Sequence, residues 1–472
     1  MDTEFFKNIF LKNFGFQPTS DQMSAIDNLC RYVFESQEES IFLLCGYAGT
    51  GKTSLISSFV KTLNGFRVKT RLMAPTGRAA KVFSGFSSHR ALTIHKSIYR
   101  QKSGIDGVFQ LDRNLNSDTF FIVDEASMIS SGGGEFSVFG SGRLLDDLIH
   151  YVFSGHNCRL ILIGDTAQLP PVGSTLSPAL DKRELECYGK TVFYSSLSEV
   201  LRQSGESGIL FNATLLRKQI QESFSGEILK PKFQLKKFPD IERISGGDLL
   251  EKLENSYDKN GIFDTLVITR SNKNANIYNN GIRSRIFYRE ESVTVGDLLM
   301  VVKNNYFYAK GLENMDFIAN GDFAEVIRVG KEQSLYGFHF LNLDLRFNDL
   351  DGLEISVKVI KESLVSESAS LSEKESNALY QAVLEDYVGM SKKDIYKEMR
   401  ENEYFNALQV KFAYAVTCHK SQGGQWKNVF IDQGYLTDEM LDREYLRWLY
   451  TALTRATEKI YLVNFREDFF EN

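Results

Sequence analysis

The segment from Ile41 to Phe59 constrains this chain more than any other. An apolar run, Ile41-Phe42-Leu43-Leu44-Cys45, leads into Gly46-Tyr47-Ala48-Gly49-Thr50-Gly51-Lys52-Thr53, and Ser54-Leu55-Ile56-Ser57-Ser58-Phe59 continues as a helix. Strand, G-x-x-x-x-G-K-T loop and helix in that order predict a phosphate-binding loop at the edge of an α/β sheet. The glycines let backbone N–H groups along Gly46, Ala48, Gly49, Thr50 and Gly51 wrap phosphates at the start of the helix that Ser54 enters. Lys52 is placed to reach the β- and γ-phosphates and the Thr53 hydroxyl to ligate Mg²⁺, which makes ATP and Mg²⁺ the expected cofactors.

A phosphate loop needs an acid to hold the metal. Phe120-Phe121-Ile122-Val123 reads as a buried strand ending in Asp124-Glu125, so Asp124 is the candidate metal ligand and Glu125 the candidate general base. Leu160-Ile161-Leu162-Ile163 is a second such strand. It delivers Gly164-Asp165-Thr166-Ala167-Gln168, and Gln168 is placed to sense the γ-phosphate or orient water.

At 472 residues the chain exceeds one core and implies several units. Five scattered cysteines without C-x-x-C spacing argue for neither a disulfide framework nor a zinc site. The acidic start Met1-Asp2-Thr3-Glu4 lacks a secretory pattern, and no apolar run is long enough to span a bilayer, so the expectation is a cytoplasmic protein without membrane partners. A net charge of −6 argues against a coat for nucleic acid and for basic groups confined to a groove.

Apolar strands at 41–45, 70–74, 119–123, 160–164 and 191–195 alternate with helix-length segments, the pattern of a mainly parallel sheet covered on both faces. Residues 101–111 interrupt it with a Gly-punctuated stretch suited to a hairpin, and Ser130 to Gly142 form a Gly/Ser-rich loop. Thr265-Leu266-Val267-Ile268-Thr269 opens a second strand-helix unit. Short β-type runs from about 287 and the Asn320-Gly321-Asp322 turn predict a small barrel, and capping boxes at Ser372/Glu375 and Ser391/Asp394 a helical insert.

In order along the chain, Phe16–Gln22, the phosphate loop, Ala74–Ala80, Thr93–Lys96, Asp124–Ile129, Gly164–Gly173, Leu197–Gln203, Tyr414–Gly423 and Leu449–Ala456 resemble the Q motif and motifs I, Ia, Ib, II, III, IV, V and VI of superfamily-1B helicases of the RecD, Dda and Pif type. The resemblance runs over essentially the whole chain and is nearest to compact, Dda-like members. It implies an α/β fold with two RecA-like P-loop NTPase domains, a hairpin insertion called 1B and an SH3-like β-barrel insertion called 2B. The implied division is 1–203 for domain 1A with the 1B pin at about 98–118, 204–286 with 405–472 for 2A, and 287–404 for 2B. It further implies ATP between the lobes, with Gln22 at the adenine edge, Gly423 at the nucleotide, and Arg202 and Arg455 as arginine fingers.

The same resemblance implies ATP-driven 5′→3′ movement on single-stranded DNA and unwinding of duplex DNA with a 5′ tail. Candidate groove residues are Pro75, Thr76, Arg78, Thr93, His95, Thr417, His419 and Lys420, with Asn304 and Asn305 after the first barrel strand. Thr93-x-His95 and Thr417-x-His419 place hydroxyl and imidazole at the same spacing in both lobes. Ile105, Val108 or Phe109 is the expected wedge at the fork. A monomer is expected, with a single-strand-binding protein as a candidate partner. Two alternatives stay open: an RNA-directed superfamily-1 ATPase, since no residue visibly reads a 2′-hydroxyl, and a non-catalytic helicase-like accessory subunit.

Overall fold

The computed structural model describes residues 2–471 apart from 35–38, 88, 102–108, 133–138, 201–206, 224–227, 311, 313–316 and 351. Its first lobe carries β1 (Ser40–Gly46), β2 (Lys69–Ala74), β3 (Ala91–Thr93), the short pair β4 (Tyr99–Gln101) and β5 (Phe109–Leu111), then β6 (Thr119–Val123), β7 (Arg159–Gly164) and β8 (Thr191–Leu197). Six of these form one parallel sheet in the order β3-β2-β6-β7-β1-β8. Its central strands are continuous apolar runs because both faces are covered. Ile41, Leu43 and Cys45 join Val123 and Leu162 in one core, while Phe42 and Leu44 join Ile122, Ile161 and Ile163 in the other.

The second lobe repeats the scheme with β9 (Ile241–Ile244) and β10 (Thr265–Thr269). Between its parts lies an antiparallel sheet of β11 (Leu298–Val301), β12 (Phe323–Leu335), β13 (Phe338–Phe347), β14 (Leu353–Ile360) and β15 (Val410–Phe412), ordered β14-β13-β12-β11-β15. Then β16 (Ala415–Thr417), β17 (Trp426–Asp432) and β18 (Ala456–Val463) complete the second parallel sheet, β16-β10-β17-β18-β9. The antiparallel sheet thus takes its last strand from residues beyond 405, because Val410 to Phe412 pair with β11.

A buried ionic cluster welds this sheet to the second lobe. Asp297, fully buried at the start of β11, accepts from Arg283 on the helix Asn272–Arg285, from Arg289, from Thr294 and from the Tyr414 hydroxyl. Burial alone would raise its pKa; these donors hold it below the usual carboxylate range. Nearby, Asn279 donates to Phe412 and Ala415 and accepts from Ala415 N, fixing the step from β15 to β16. The Ser372/Glu375 capping box starts the helix Glu373–Leu384, with Leu379 and Val383 buried. Among the described residues, no helix is long and apolar enough to cross a membrane.

Candidate nucleotide and nucleic-acid site

The phosphate loop joins β1 to the helix Lys52–Gly65. A Cβ on Gly46 would lie 2.9 Å from Lys52 Cγ and 3.0 Å from Thr50 Oγ1, and Gly49 and Gly51 take φ of +78° and +82°, so glycine is required sterically. Thr50 Oγ1 donates to Tyr47 O (2.8 Å), and Lys52 Nζ donates to Gly46 O (2.6 Å) and Tyr47 O (2.8 Å). Thr53 and Ser54 lie in the first helical turn. Gln22 is 1% exposed; its Nε2 donates to Thr50 O (3.0 Å) and its Oε1 accepts from Thr19 N (3.1 Å). Both ends of its amide are engaged with backbone, so Gln22 here buttresses the loop, which differs from the expected adenine contact.

Asp124 and Glu125 emerge at the end of β6 beside the loop's own strand system. Desolvation and the neighbouring Glu125 push the Asp124 carboxyl above the usual carboxylate range. Glu125 stands at φ +53°, ψ +37°, a left-handed conformation unusual for a residue with a side chain and concentrated at functional sites. At the end of β7, Asp165 accepts from Ala167 N (2.9 Å). Gln168 is 6% exposed, and its Oε1 is a buried acceptor without a hydrogen-bond partner.

Four hydrogen bonds tie this edge to the second lobe. The Tyr450 hydroxyl accepts from Ala48 N in the phosphate loop (2.9 Å) and donates to Asp165 Oδ2 (2.6 Å). Thr451 Oγ1 accepts from Leu169 N (2.9 Å), and Gln422 Nε2 donates to Leu169 O (2.8 Å). Tyr450, Thr451 and Gln422 were not among the sequence candidates. For Tyr450 and Thr451 the signal was present as polar groups at positions the helix Arg443–Leu453 buries, 1% and 0% exposed, while Gln422 caps the short helix Cys418–Ser421.

Arg455 is 4% exposed and spends its donors inside its own lobe, on Thr451 O (3.1 Å), Gly424 O (3.2 Å) and Thr454 Oγ1 (3.1 Å). Arg202 lies outside the described residues. Gly423 differs from its expected place at the nucleotide: a Cβ there would meet Ala79 Cβ at 2.9 Å and Thr76 Oγ1 at 3.1 Å, so it abuts the segment after β2.

That segment belongs to the expected nucleic-acid face. Pro75 and Thr76 follow β2, and the Thr76 hydroxyl accepts from Ala79 N (3.2 Å). Thr93 and Thr417 each end the edge strand of their lobe's parallel sheet, β3 and β16, and start short helices with nearly identical backbones, φ −68°, ψ 151° and φ −74°, ψ 153°. Thr93 caps its helix by accepting from Lys96 N; Thr417 makes no such bond. His95 packs on Phe139 (4.7 Å between centroids) and Tyr99 (5.7 Å), and burial pushes its imidazole down to about 4. His419 lines, with Thr417, Arg270 and Trp448, a cavity of about 350 Å³. Lys420 donates to Asn320 Oδ1 (2.5 Å), and burial followed by Lys411 pushes it down to about 8.

Three groove candidates are corrected by their surroundings. Arg78 is stacked 4.0 Å over the Trp426 ring and 4.9 Å from the Phe323 ring, where it joins both lobes and the antiparallel sheet. Asn305 is 8% exposed, with its amide bound to Asn406 O and Tyr308 N, so it braces a turn; Asn304, partly buried, accepts from Asn320 N (2.7 Å). Phe109 is 5% exposed and packs on Tyr306 (4.5 Å) and Phe139 (5.1 Å), which makes it the foot of the β4–β5 pair and not an exposed tip. Ile105 and Val108 lie outside the described residues.

The fold and the loop together define a two-lobed P-loop protein with its phosphate site at the seam. Residues 31–174 match the model of an AAA domain and residues 412–463 that of the UvrD-like helicase C-terminal domain. An uncharacterised protein of Acanthamoeba polyphaga mimivirus is 22% identical over 94% of this chain and 98% of its own length. The RecBCD enzyme subunit RecD of Buchnera aphidicola is 23% identical over 95% and 72%. The ATP-dependent RecD2 DNA helicase of Deinococcus radiodurans is 27% identical over 41% of this chain and 23% of that protein. Among solved structures, single-strand-DNA-bound Pif1 from Bacteroides is similar at a TM-score of 0.48 and 16% identity, covering 97% of this chain and 95% of that one. The ordered motifs resemble those of superfamily-1B helicases of the RecD/Pif type, and the two family matches and the RecD relatives agree with that resemblance.

Proposed function

We propose that this chain is an ATP-dependent DNA helicase that moves 5′→3′ on single-stranded DNA and opens duplex ahead of it. The observation that carries the reading is the seam itself: phosphate loop, terminal acids of β6 and the Gln168 edge lie together in one lobe and are hydrogen-bonded to the other through Tyr450, Thr451 and Gln422. Changes at the phosphate are thereby transmitted to the second lobe.

The residues present fit Mg-ATP. The glycine cradle excludes Cβ atoms, and Gln168 Oε1 is a buried acceptor in want of a donor. Bound Mg-ATP would supply the phosphoryl group whose hydrolysis drives the motor. Lys52 and the loop N–H groups would hold the phosphates, Thr53 and Asp124 the metal, and Glu125 would take the proton of the attacking water, with Gln168 orienting that water. Arg202 and Arg455 are assigned to the developing charge. Arg455 must then exchange its carbonyl partners for phosphate as the lobes close.

Residues 1–203 are assigned to domain 1A, the antiparallel sheet to an SH3-like domain 2B, and β4–β5 to the base of a pin. Thr93, His95, Thr417, His419 and Lys420 are the groove residues, and the neutral His95 contributes by packing and hydrogen bonding, not by charge. The motif resemblance supports the polarity, and the name of the Deinococcus relative supports DNA as the track.

The test is ATP turnover with single-stranded DNA and RNA as rival stimulants, paired with unwinding of 5′- and 3′-tailed duplexes. DNA stimulation with opening of 5′-tailed substrate is expected. Stimulation by RNA alone, or opening of 3′-tailed duplexes alone, overturns the reading. Glu125→Gln should retain ATP while hydrolysis stops; turnover near the wild-type rate refutes the base assignment.

A further inference from the structure

The helix Gly208–Glu222 carries an arginine that none of the motifs accounts for. Arg217 is 9% exposed, and its guanidinium carbon lies 4.3 Å from the centroid of Tyr47, a phosphate-loop residue. Nη1 donates to Ser198 O (3.1 Å), whereas Nε is buried without a hydrogen-bond partner. Among the described residues no carboxylate forms an ion pair with it. Arg283, buried to a similar degree, is by contrast bound to Asp297.

A charge held nine-tenths out of water is costly unless an anion meets it. The surroundings indicate where that anion belongs. The same helix touches the phosphate loop at two further points: Leu210 would lie 3.0 Å from a Cβ on Gly49, and Gln221 Nε2 donates to the Tyr47 hydroxyl (2.5 Å). Ser198, the acceptor of Arg217, is held from its other side by Asp21, which receives both its N–H (2.8 Å) and its hydroxyl (2.6 Å). Arg217 therefore links the loop to the segment that leads into Arg202.

We propose that Arg217 is a positioning and specificity residue of the nucleotide site, whose missing counter-charge is the triphosphate of the bound nucleotide, so that it favours triphosphate over diphosphate. The proposal rests on the phosphate-site reading above. Its guanidinium holds Tyr47 and Ser198 in register when the anion is present, and the most highly charged nucleotide gains most from it.

The test compares Arg217→Met with wild type for binding of a non-hydrolysable ATP analogue and of ADP, for the KM of ATP, and for Tm without nucleotide. Analogue affinity should fall by about ten- to a hundredfold, ADP affinity by less, and KM should rise more than kcat falls. Tm without nucleotide should stay level or rise, because a buried cation without an anion is removed. Equal loss for analogue and ADP together with a lowered Tm would show a merely structural arginine, and unchanged affinities would equally overturn the proposal. Should the methionine variant fail to fold, Arg217→Gln keeps a donor for Ser198 and removes the charge, with the same expectation. Lys52→Ala is the control: if it too leaves analogue affinity unchanged, the phosphate-site reading has failed, and not the role of Arg217 alone.

Discussion

The molecule has two joints, and they are built from different chemistry. Where the antiparallel sheet meets the second lobe, a fully buried carboxylate gathers two guanidiniums, a hydroxyl and a backbone N–H. Where the two lobes meet, the hydrogen bonds at the phosphate edge are single contacts, three between neutral groups, Ala48 to Tyr450, Leu169 to Thr451 and Gln422 to Leu169, and one from the Tyr450 hydroxyl to the Asp165 carboxylate. Removing one partner of a buried ion cluster strands the others at about 3–5 kcal/mol, while a neutral hydrogen bond contributes about 0.5–1.5 kcal/mol. The first joint is a weld and the second a latch. The contrast predicts that the antiparallel sheet travels with the second lobe and that motion falls at the seam beside the phosphate loop.

The sharpest way to break this contrast is functional. Arg455→Ala should lower DNA-stimulated turnover by about 10³-fold or more while leaving nucleotide binding in place, because only the closed seam brings it to phosphate. Turnover within tenfold of wild type would mean that closure does not recruit Arg455.

The weld itself is tested by denaturation. Asp297→Ala should cost about 3–5 kcal/mol, against about 1.5–3 kcal/mol for Tyr450→Phe at the latch, whose hydroxyl meets the Asp165 carboxylate. Acid gives the same contrast without mutation. Because the folded Asp297 titrates below its ordinary range, its stabilisation is complete above that range and is lost as pH falls through it. Equal costs at the two joints in urea titrations would remove the distinction.

A smaller effect separates the paired threonines. Thr93→Val removes a helix cap and should lower stability by about 1 kcal/mol. Thr417→Val, which removes no cap, should leave stability unchanged and weaken oligonucleotide binding. Calorimetry and a binding titration on both variants decide it, and identical profiles would mean that the two lobes use the motif alike.

The smallest effect is a pH slope. With its pKa lowered to about 8, Lys420 is a cation below that pH and loses the charge above it. Affinity for single-stranded DNA should fall from pH 7 to pH 9, and Lys420→Arg should flatten the curve. A wild-type curve as flat as that of the variant would exclude Lys420 from the phosphate contacts.

The central strands of both lobes were legible because burial on both faces leaves an unbroken apolar run, as in Ile41–Cys45 and Thr265–Thr269. The phosphate loop was legible because its glycines are forced by sterics. Strands β3, β9, β15 and β16 were missed, being only three or four residues long, and β17 and β18, seven and eight residues long, were read only as the stretch that carries the last two motifs. Arg78, Asn305 and Phe109 were misplaced for one common reason. A polar or aromatic residue in a recognisable motif reads as a surface contact; long-range packing on Asn406 and Tyr306 makes Asn305 and Phe109 internal, and Trp426 covers one face of the half-buried Arg78. Tyr450 carried the opposite lesson, since its hydroxyl finds partners about 285 and 402 positions away.

The Arg78 stack also makes the protein its own optical gauge. The chain has two tryptophans, Trp426 and Trp448, and both stand on the second lobe at its border with the first, one beneath the Arg78 guanidinium and the other in the cavity that Leu169 helps to line. Any opening of the seam changes the polarity around both indoles at once, while the far faces of the molecule are silent at that wavelength. Cleft motion can therefore be followed in the unlabelled protein, in real time, by emission alone.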